Sequence, residues 1–330
     1  MRTHPFLLIN PRAGRGGPGA GELAEAARER GIEPHLLAPG EDPRALALRS
    51  GADIVGIAGG DGSLAPVAAA AIEAGAAFVC VPFGTRNLFA RDADLDRWDP
   101  LAALDAFGAG RETRIDAGRV SGRLFLNNVA FGAYAWLVHG REHHRRRGEA
   151  LARVLALLAV ARRRHRLHAR VDGKEIDARV LLVGNNRYEL DLFTLGARPR
   201  LDGGELDLRA AAGWWPTAWE ERVAPRIRIE LPAARVRAAI DGEPALLEPP
   251  LELESLKGAL RLLVPERTAG DATNGGDMHD NPRATEDEQE QAHEEGRQQE
   301  EESMRYPEHH DPDEQRKRAR RESAPGEPDE

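Results

Sequence analysis

The 330-residue sequence has a single cysteine and few aromatic residues. Because Cys80 is alone, no disulfide can form within the chain, and the apolar run AFVCVPF around it predicts a packed thiol in a buried strand. Aromatic residues make up 5% of the chain, and no aromatic platform for stacking bases accompanies its arginine-rich segment. We therefore expect no nucleic-acid partner.

Long apolar runs are also missing. The longest, ALARVLALLAV at residues 150–160, has 11 residues and contains an arginine, whereas a helix that spans a bilayer needs about 20 residues. The apolar part of MRTHPFLLINP is too short for a signal peptide. We therefore expect a cytoplasmic protein that is soluble or peripheral at the inner face of the membrane.

Charge is unevenly distributed along the chain. Residues 268–330 contain 20 acidic and 8 basic side chains, whereas the preceding 267 residues carry a net charge of +3. The acidic segment has almost no large apolar residues, so it cannot bury enough surface to offset the entropy of ordering. This composition predicts a disordered acidic tail over 267–330.

The first third of the sequence alternates short apolar runs with helical patterns. Runs such as FLLIN and DIVGIAG predict strands, and a helical segment follows each of them. One helix has a start signal, with Asp42 as N-cap and Pro43 at its first position. Strict alternation predicts an α/β domain with a parallel sheet over residues 1–116.

From residue 117 the pattern changes to short apolar runs separated by turn dipeptides, which is typical of antiparallel strands. The segment RIDAGRVSGRLFLNNVAF, for example, predicts a hairpin that turns at Ser121 and Gly122. A long basic helix is expected at 141–166. The sequence thus predicts a β-rich domain over 117–266 that includes this helix.

Three glycine-rich loops follow predicted strands, with the sequences NPRAGRGG, GGDGS and PFGTRN. Ligands of open α/β sheets bind beyond the carboxyl ends of the strands. Glycine also lets backbone N–H groups approach a phosphate closely, beside the N-terminus of the next helix. A single loop of this kind is explained as a tight turn, but three at corresponding strand ends favour a phosphate site.

The polar side chains in these loops fit the same role. Ser63, Thr85 and Asn87 can donate hydrogen bonds to phosphate oxygens, and Ser63 is also expected to cap the helix behind its loop. Asp61 would repel phosphate unless a cation lies between them, so a Mg²⁺ bridge is expected there.

These loops belong to an ordered set of motifs that resembles the diacylglycerol kinase catalytic domain superfamily, and within it the bacterial lipid kinases. NAD kinases and phosphofructokinases share the GGDGS-type motif, but the later motifs separate the lipid kinases from them. In order, these are VPFGTRN, IDAGRV, LFLNNVAFGAYA, VGNNRYEL, RPRLDGGELDL and IDGEP. The resemblance extends over residues 4–265.

The resemblance implies a fold, cofactors and a binding site. The fold would be a Rossmann-like α/β domain of the NAD-kinase and phosphofructokinase type, followed by an antiparallel β-sandwich, with ATP and Mg²⁺ as cofactors. The nucleotide-binding set would comprise Asn10, Pro11, Arg12, Ala13, Gly14, Gly59, Gly60, Asp61, Gly62, Ser63, Thr85 and Asn87.

A catalytic base and a structural metal are implied as well. Glu243, in the DGE triplet, matches the position of the proton acceptor for the lipid hydroxyl, and Asp61 would assist catalysis through Mg²⁺. Arg200, Gly203 and Glu205 match positions whose main-chain carbonyls hold a structural Mg²⁺. Phosphoryl transfer needs one base to orient the attacking hydroxyl. Without the resemblance, Glu243 would be interpreted as an exposed carboxylate at a turn.

Some positions depart from the family pattern. Ala38 stands where many members have a nucleotide-contacting threonine, Arg86 replaces a glycine beside the phosphate loop, and Gly203 lacks the second carboxylate of a DDG motif. These departures leave open a nucleotide- or lipid-sensing protein with weakened catalysis. A soluble NAD-kinase-like phosphotransferase is a further alternative, which the motifs after Asp116 disfavour.

The segment 141–170 holds ten arginines and four histidines, with apolar residues at helical spacing. A basic amphipathic helix can lie on an anionic membrane, each basic residue adding about 1 kcal/mol; a packed helix with solvated ends is the alternative. The expected partners are therefore ATP, a membrane lipid such as diacylglycerol, and an anionic membrane surface. The lipid is not identified, and homodimer formation is left open.

Overall fold

A computed structural model of the protein describes residues 4–14, 18–132, 135, 166–189, 196–211 and 219–266. They fall within one compact unit, Met1–Glu266. The predicted disordered tail at 267–330 lies outside the described residues, and so does the predicted basic helix at 141–166 apart from Arg166. In the part of the chain that is described, no helix combines the length and apolarity needed to cross a membrane.

The first 109 residues, called here the α/β part, alternate strands and helices as predicted. In chain order the elements are β1 (Pro5–Ile9), α1 (Ala20–Glu29), β2 (Glu33–Leu36), α2 (Pro43–Ser50), β3 (Ile54–Gly59), α3 (Asp61–Ala74) and β4 (Ala77–Pro82). Short helices follow as α4 (Leu88–Asp92), α5 (Pro100–Ala103) and α6 (Ala106–Ala109). The strands lie parallel in the order β2, β1, β3, β4, which confirms the predicted parallel sheet.

Residues 110–266 are called here the β-rich part. All elements with described bounds in this part are strands. These are β5 (Gly110–Val120), β6 (Arg123–Phe125), β7 (Asn128–Gly132), β8 (Leu167–Val171), β9 (Lys174–Ala178), β10 (Val180–Asn185), β11 (Leu206–Ala211), β12 (Trp219–Ala224), β13 (Arg226–Glu230), β14 (Val236–Ile240), β15 (Glu243–Leu247) and β16 (Leu251–Pro265). The predicted hairpin is confirmed, because β5 and β6 pair antiparallel around Ser121 and Gly122. The φ angles there are 46° and 81°, as a two-residue hairpin turn requires.

The last strand joins the two parts of the chain in one sheet. Strand β16 pairs in parallel with β4, with Leu262 opposite Phe78, and antiparallel with β13 and β5. A ten-stranded mixed sheet results, and a separate antiparallel sheet of six strands runs in the order β12, β11, β10, β7, β14, β15. The boundary between predicted domains at residue 116 stays a prediction.

The two sheets of the β-rich part share an apolar core. Val120 and Phe125 from the mixed sheet pack in one buried cluster with Val129 and Phe131 from the six-stranded sheet. Each large side chain buried in this way stabilises the fold by about 1.5–3 kcal/mol. Because β6 and β7 belong to different sheets, this packing fixes the short connection between them, Leu126 and Asn127.

The helix starts of the α/β part agree with one prediction and correct another. The predicted N-cap Asp42 is confirmed, since its carboxylate accepts a hydrogen bond from the backbone N–H of Arg44 at 2.9 Å. The prediction that Ser63 caps α3 is wrong. The helix begins at Asp61 after an extended Gly60, and the Ser63 hydroxyl, already inside the first turn, donates back to the Gly60 carbonyl at 2.7 Å.

Candidate active site

Two of the glycine-rich loops are in backbone contact at the carboxyl edge of the parallel strands. The N–H of Phe83 donates to the carbonyl of Gly59 at 3.2 Å. A β-carbon built on Gly84 would lie 2.5 Å from Cα of Gly60, so a side chain at position 84 would separate the two loops. The loops after β3 and β4 therefore form one surface of nearly bare backbone.

The first loop joins the same surface through Asn10 and Gly14. The N–H of Asn10 donates to the carbonyl of Ala58 in β3 at 2.9 Å, and the Asn10 side chain accepts a hydrogen bond from the N–H of Arg12 at 3.1 Å. Gly14 packs on the ring of Phe83, where a β-carbon would clash. The structure thus brings the second and third loops together with residues 10–14 of the first, which include Pro11, Arg12 and Ala13.

The amide of Asn87 is used inside the protein rather than presented to a ligand. Asn87 is 4% exposed, and its Oδ1 accepts a hydrogen bond from the N–H of Gly84 at 2.9 Å. Its Nδ2 donates to the carbonyls of Gly84 and Arg97 at 3.0 and 2.9 Å. Asn87 therefore braces the third loop, whereas Thr85 is exposed on it.

Asp61 has a structural role that its motif did not reveal. Its two carboxylate oxygens accept hydrogen bonds from the backbone N–H groups of Leu88 and Phe89, at 3.1 and 2.9 Å. These are the first residues of α4, whose unpaired N–H groups attract negative charge. Asp61 thus ties the start of α3 to the start of α4.

Glu243 reaches this surface from the β-rich part. It is the first residue of β15 and follows a tight turn in which Asp241 and Gly242 have φ angles of 48° and 82°. A β-carbon built on Gly62 would lie 2.8 Å from Cδ of Glu243. The predicted base and the GGDGS loop, far apart in sequence, are therefore in direct contact.

The turn before Glu243 is anchored by Asp241. Its buried carboxylate accepts hydrogen bonds from the backbone N–H groups of Leu126, Asn127 and Asn128, at 2.8, 2.8 and 3.0 Å. Burial raises the pKa of Asp241 to about 6, and these hydrogen bonds oppose the rise. The connection between β6 and β7 thus holds the turn that carries the predicted base.

A buried ion pair joins the α/β part to the β-rich part. Nε of Arg198 lies 2.7 Å from Oδ2 of Asp92, and the two side chains are 0% and 2% exposed. Arg198 also donates to Oδ1 of Asn127 at 2.7 Å and to the carbonyls of Leu126 and Asn185. Burial opposes its charge, but Tyr188 and the neighbouring carboxylates raise its pKa above the ordinary value.

The predicted metal loop packs around Asp116. The carboxylate of Asp116 accepts hydrogen bonds from the N–H groups of Gly204 and Gly258, at 2.5 and 2.7 Å. The N–H of Asn186 donates to the carbonyl of Glu205 at 2.9 Å. Both polar atoms of the Asn186 side chain are buried without a hydrogen-bond partner, and a β-carbon on Gly203 would lie 2.6 Å from its Oδ1.

These contacts bear on the metal that the resemblance implies. Within the described residues, no three His, Cys, Asp or Glu side chains form a cluster suited to a metal ion. A cage built only from side chains is therefore not present there. The unpartnered Oδ1 of Asn186 beside Gly203 fits one ligand of a hydrated hard cation, which prefers neutral and anionic oxygens. The side chains of Arg200 and Glu205 face other partners, Asp202 and Arg187.

Three contributors to this region were not found from the sequence: Asp92, Asn186 and Arg198. Asp92 lies in a segment without a recognisable motif, and Arg198 opens the motif RPRLDGGELDL but was not assigned a role there; their pairing in space shows their importance. Asn186 is part of VGNN, a polar pair directly after a buried strand, which is the one signal that could have indicated it.

Both the sequence and the fold are similar to those of known proteins. Residues 4–120 match the family model of the diacylglycerol kinase catalytic domain. A curated protein of Klebsiella pneumoniae (strain 342), "Probable lipid kinase YegS-like", is 32% identical over 142 residues, which cover 41% of this chain. That match spans 48% of the relative, so the chain aligns with about half of its length.

Solved structures share the fold over a longer stretch. Two crystal structures from Bacillus anthracis str. Sterne, one of them of a diacylglycerol kinase, are 20% identical to the chain with TM-scores of 0.62 and 0.60. They cover 79% and 80% of this chain and 97% and 98% of their own. The family model and the curated relative confirm the resemblance to the diacylglycerol kinase catalytic domain superfamily. The solved structures support the fold, a mixed α/β part with an additional antiparallel sheet.

Proposed function

Since residues 4–120 match the diacylglycerol kinase catalytic domain, we propose that the protein is an ATP-dependent lipid kinase that transfers the γ-phosphate of ATP to a lipid hydroxyl. The contact between Glu243 and Gly62 carries this proposal. It places a carboxylate from one part of the chain beside the backbone N–H groups at the start of α3, where a phosphate would bind. A base next to a phosphate site is the arrangement that phosphoryl transfer to a hydroxyl requires.

The nucleotide would bind on the three gathered loops. Backbone N–H groups at the start of α3, together with Thr85 and the exposed loop at Pro11 and Arg12, would contact the phosphates. Asn87 and Asp61 would act chiefly by fixing loop shape, since both side chains bind backbone groups. We also propose that the α/β part has a Rossmann-like fold and that the β-rich part is a β-sandwich.

Mg²⁺ would bind with the nucleotide. When bound, it neutralises negative charge on the phosphates during transfer. Mg²⁺ commonly takes only one or two carboxylates from the protein and completes its shell with phosphate oxygens and water. Asp61 fits this pattern, since each carboxylate oxygen keeps acceptor capacity beyond its one backbone hydrogen bond. The loop of Arg200, Gly203 and Glu205 would hold a second, structural Mg²⁺ beside Asn186.

The acceptor would be a lipid in a membrane surface, with diacylglycerol as the first candidate. Glu243 would orient its hydroxyl and accept the proton as the bond to phosphorus forms. The basic segment 141–166 would supply peripheral contact with anionic lipid at the inner face of the membrane, in a cytoplasmic protein.

Transfer of labelled phosphate tests the proposal. Purified protein is incubated with labelled ATP, Mg²⁺ and anionic vesicles that contain diacylglycerol, a sphingoid base or a polyprenol, and NAD is tested in parallel. We expect Mg²⁺-dependent label in one of the lipids. Label in NAD alone would favour the NAD-kinase alternative, and ATP binding without any transfer would favour a sensing protein.

A further inference from the structure

The ion pair between Arg198 and Asp92 needs an explanation beyond stability. A buried ion pair contributes little net stability, because removing both charges from water offsets their attraction. Asp92 is the last residue of α4 in the α/β part, and Arg198 precedes the metal loop in the β-rich part. The pair therefore fixes two parts of the chain relative to each other at one point.

Arg198 also fixes the orientation of an amide. Its Nη2 donates to Oδ1 of Asn127 at 2.7 Å, so the NH₂ group of Asn127 faces the other way. That group lies 3.5 Å from Oδ1 of Asp61, the residue that binds the start of α4. The planar guanidinium reaches Asp92 and Asn127 together through different nitrogens, which the single ammonium of a lysine would not do.

The same connection holds the predicted base. Asn127 lies between β6 and β7, and its N–H donates to Asp241, two residues before Glu243. The ring centroid of Tyr188 lies 5.6 Å from Cζ of Arg198, within the range of cation–π attraction. Contacts thus run without a break from the start of α4 through Asp61 and Asn127 to the turn of Glu243.

We propose that Arg198 is a positioning residue: by binding Asp92 and Asn127 together, it holds the GGDGS loop and the start of α4 in alignment with the turn that carries Glu243. This inference rests on the proposed kinase function for its catalytic consequence. Its structural consequence, that Arg198 controls the order of the α4 start, does not depend on that function.

The first test compares Arg198→Lys with Arg235→Lys, a matched change in an exposed ion pair with Glu248. In Arg198→Lys we expect hydrogen exchange of the Leu88 and Phe89 amides to accelerate at least tenfold, while α1 exchanges as before. The kcat for lipid phosphorylation falls at least tenfold, and the KM for ATP changes less. Arg235→Lys leaves all three quantities unchanged.

The second test, Asn127→Asp, keeps the contact with Arg198 but places a carboxylate beside Asp61. Like charges at this distance repel, so we expect a lower kcat than that of wild type at pH 8. If Arg198→Lys fails to fold, the kcat of Asn127→Asp tests the proposal alone.

The proposal is overturned if Arg198→Lys lowers only the Tm, with normal amide exchange at α4 and normal kcat. A wild-type kcat of Asn127→Asp at pH 8 overturns it as well. Failure of the proposed function has a different signature: no lipid is phosphorylated by any variant, yet the exchange at α4 still responds to Arg198→Lys. In that case Arg198 orders the site of a protein with another activity.

Discussion

Glu243 packs directly on Gly62, so closely that a β-carbon on the glycine would lie 2.8 Å from Cδ of the glutamate. The two residues come from different parts of the chain, and the contact brings a carboxylate to the first turn of α3. The glycines of the GGDGS loop therefore serve two purposes. Gly60 allows close contact with the neighbouring loop, and Gly62 leaves room for the predicted base.

Gly62→Ala tests this second purpose. The added methyl group would displace Glu243, and a misplacement of about 1 Å in a catalytic group costs about 10²-fold in rate. Alanine is favoured over glycine in a helix, so the Tm should not fall. We expect the transfer rate to drop at least tenfold with a native-like melting curve. Gly21→Ala in α1, where nothing lies within 4 Å of the new methyl, is the control and should keep full activity.

Asp61→Asn tests the structural role of this carboxylate separately from any cation. An amide NH₂ would face the N–H of Leu88 or Phe89 and leave it without an acceptor. In Mg²⁺-free buffer we expect the free energy of unfolding to fall by about 1–2 kcal/mol, measured with urea. The control is Asp42→Asn, because asparagine caps a helix as well as aspartate does. Equal stability of Asp61→Asn and wild type would show that Asp61 is needed only for ligands.

Much of the α/β part could be predicted because its signals are local. Alternating apolar runs and helical segments indicated β1 to β4 and α1 to α3, and the N-cap at Asp42 was identified correctly. The loops of the site could also be predicted, since parallel strands place their carboxyl ends at one edge. The prediction for Ser63 was wrong because a hydroxyl before an apolar run resembles an N-cap, although Gly60 occupies the N-cap position.

The contacts between distant segments could not be predicted from local patterns. The pairing of β16 with β4, and the contact of Glu243 with Gly62, depend on how the β-rich part folds back on the α/β part. Arg198 lies in a recognised motif and Asp92 does not, but a buried ion pair is visible only when both burial and distance are known. The motifs contain Asn127, Arg198 and Asp241, but they do not show that these residues hold the turn of Glu243.

The raised pKa of Asp241 predicts a specific pH dependence of stability. Its pKa of about 6 in the folded protein exceeds the ordinary value of 3.8 for an aspartate, so the folded state holds this proton more tightly than the unfolded state does. The free energy of unfolding should therefore decrease by up to about 3 kcal/mol from this group as the pH rises from about 4 to about 6. Asp241→Asn should lack this contribution.

Urea unfolding of wild type and Asp241→Asn at several pH values measures that difference. The variant will be less stable overall, because its NH₂ group cannot accept a backbone hydrogen bond. The informative quantity is how the difference in unfolding free energy between the two proteins changes with pH. A difference that stays constant between pH 4 and pH 6.5 would contradict the raised pKa.

If Glu243 is the base of a phosphoryl transfer, its replacement by glutamine should largely abolish transfer without affecting the binding of ATP. Wild type and Glu243→Gln are assayed for transfer of labelled phosphate to vesicle lipid and for ATP binding, with Glu248→Gln, in an exposed pair with Arg235, as the matched control. We predict that Glu243→Gln loses about 10²–10⁴-fold in kcat, while its ATP affinity and the activity of Glu248→Gln stay at the wild-type level. Equal transfer rates of Glu243→Gln and wild type would show that Glu243 is not the base.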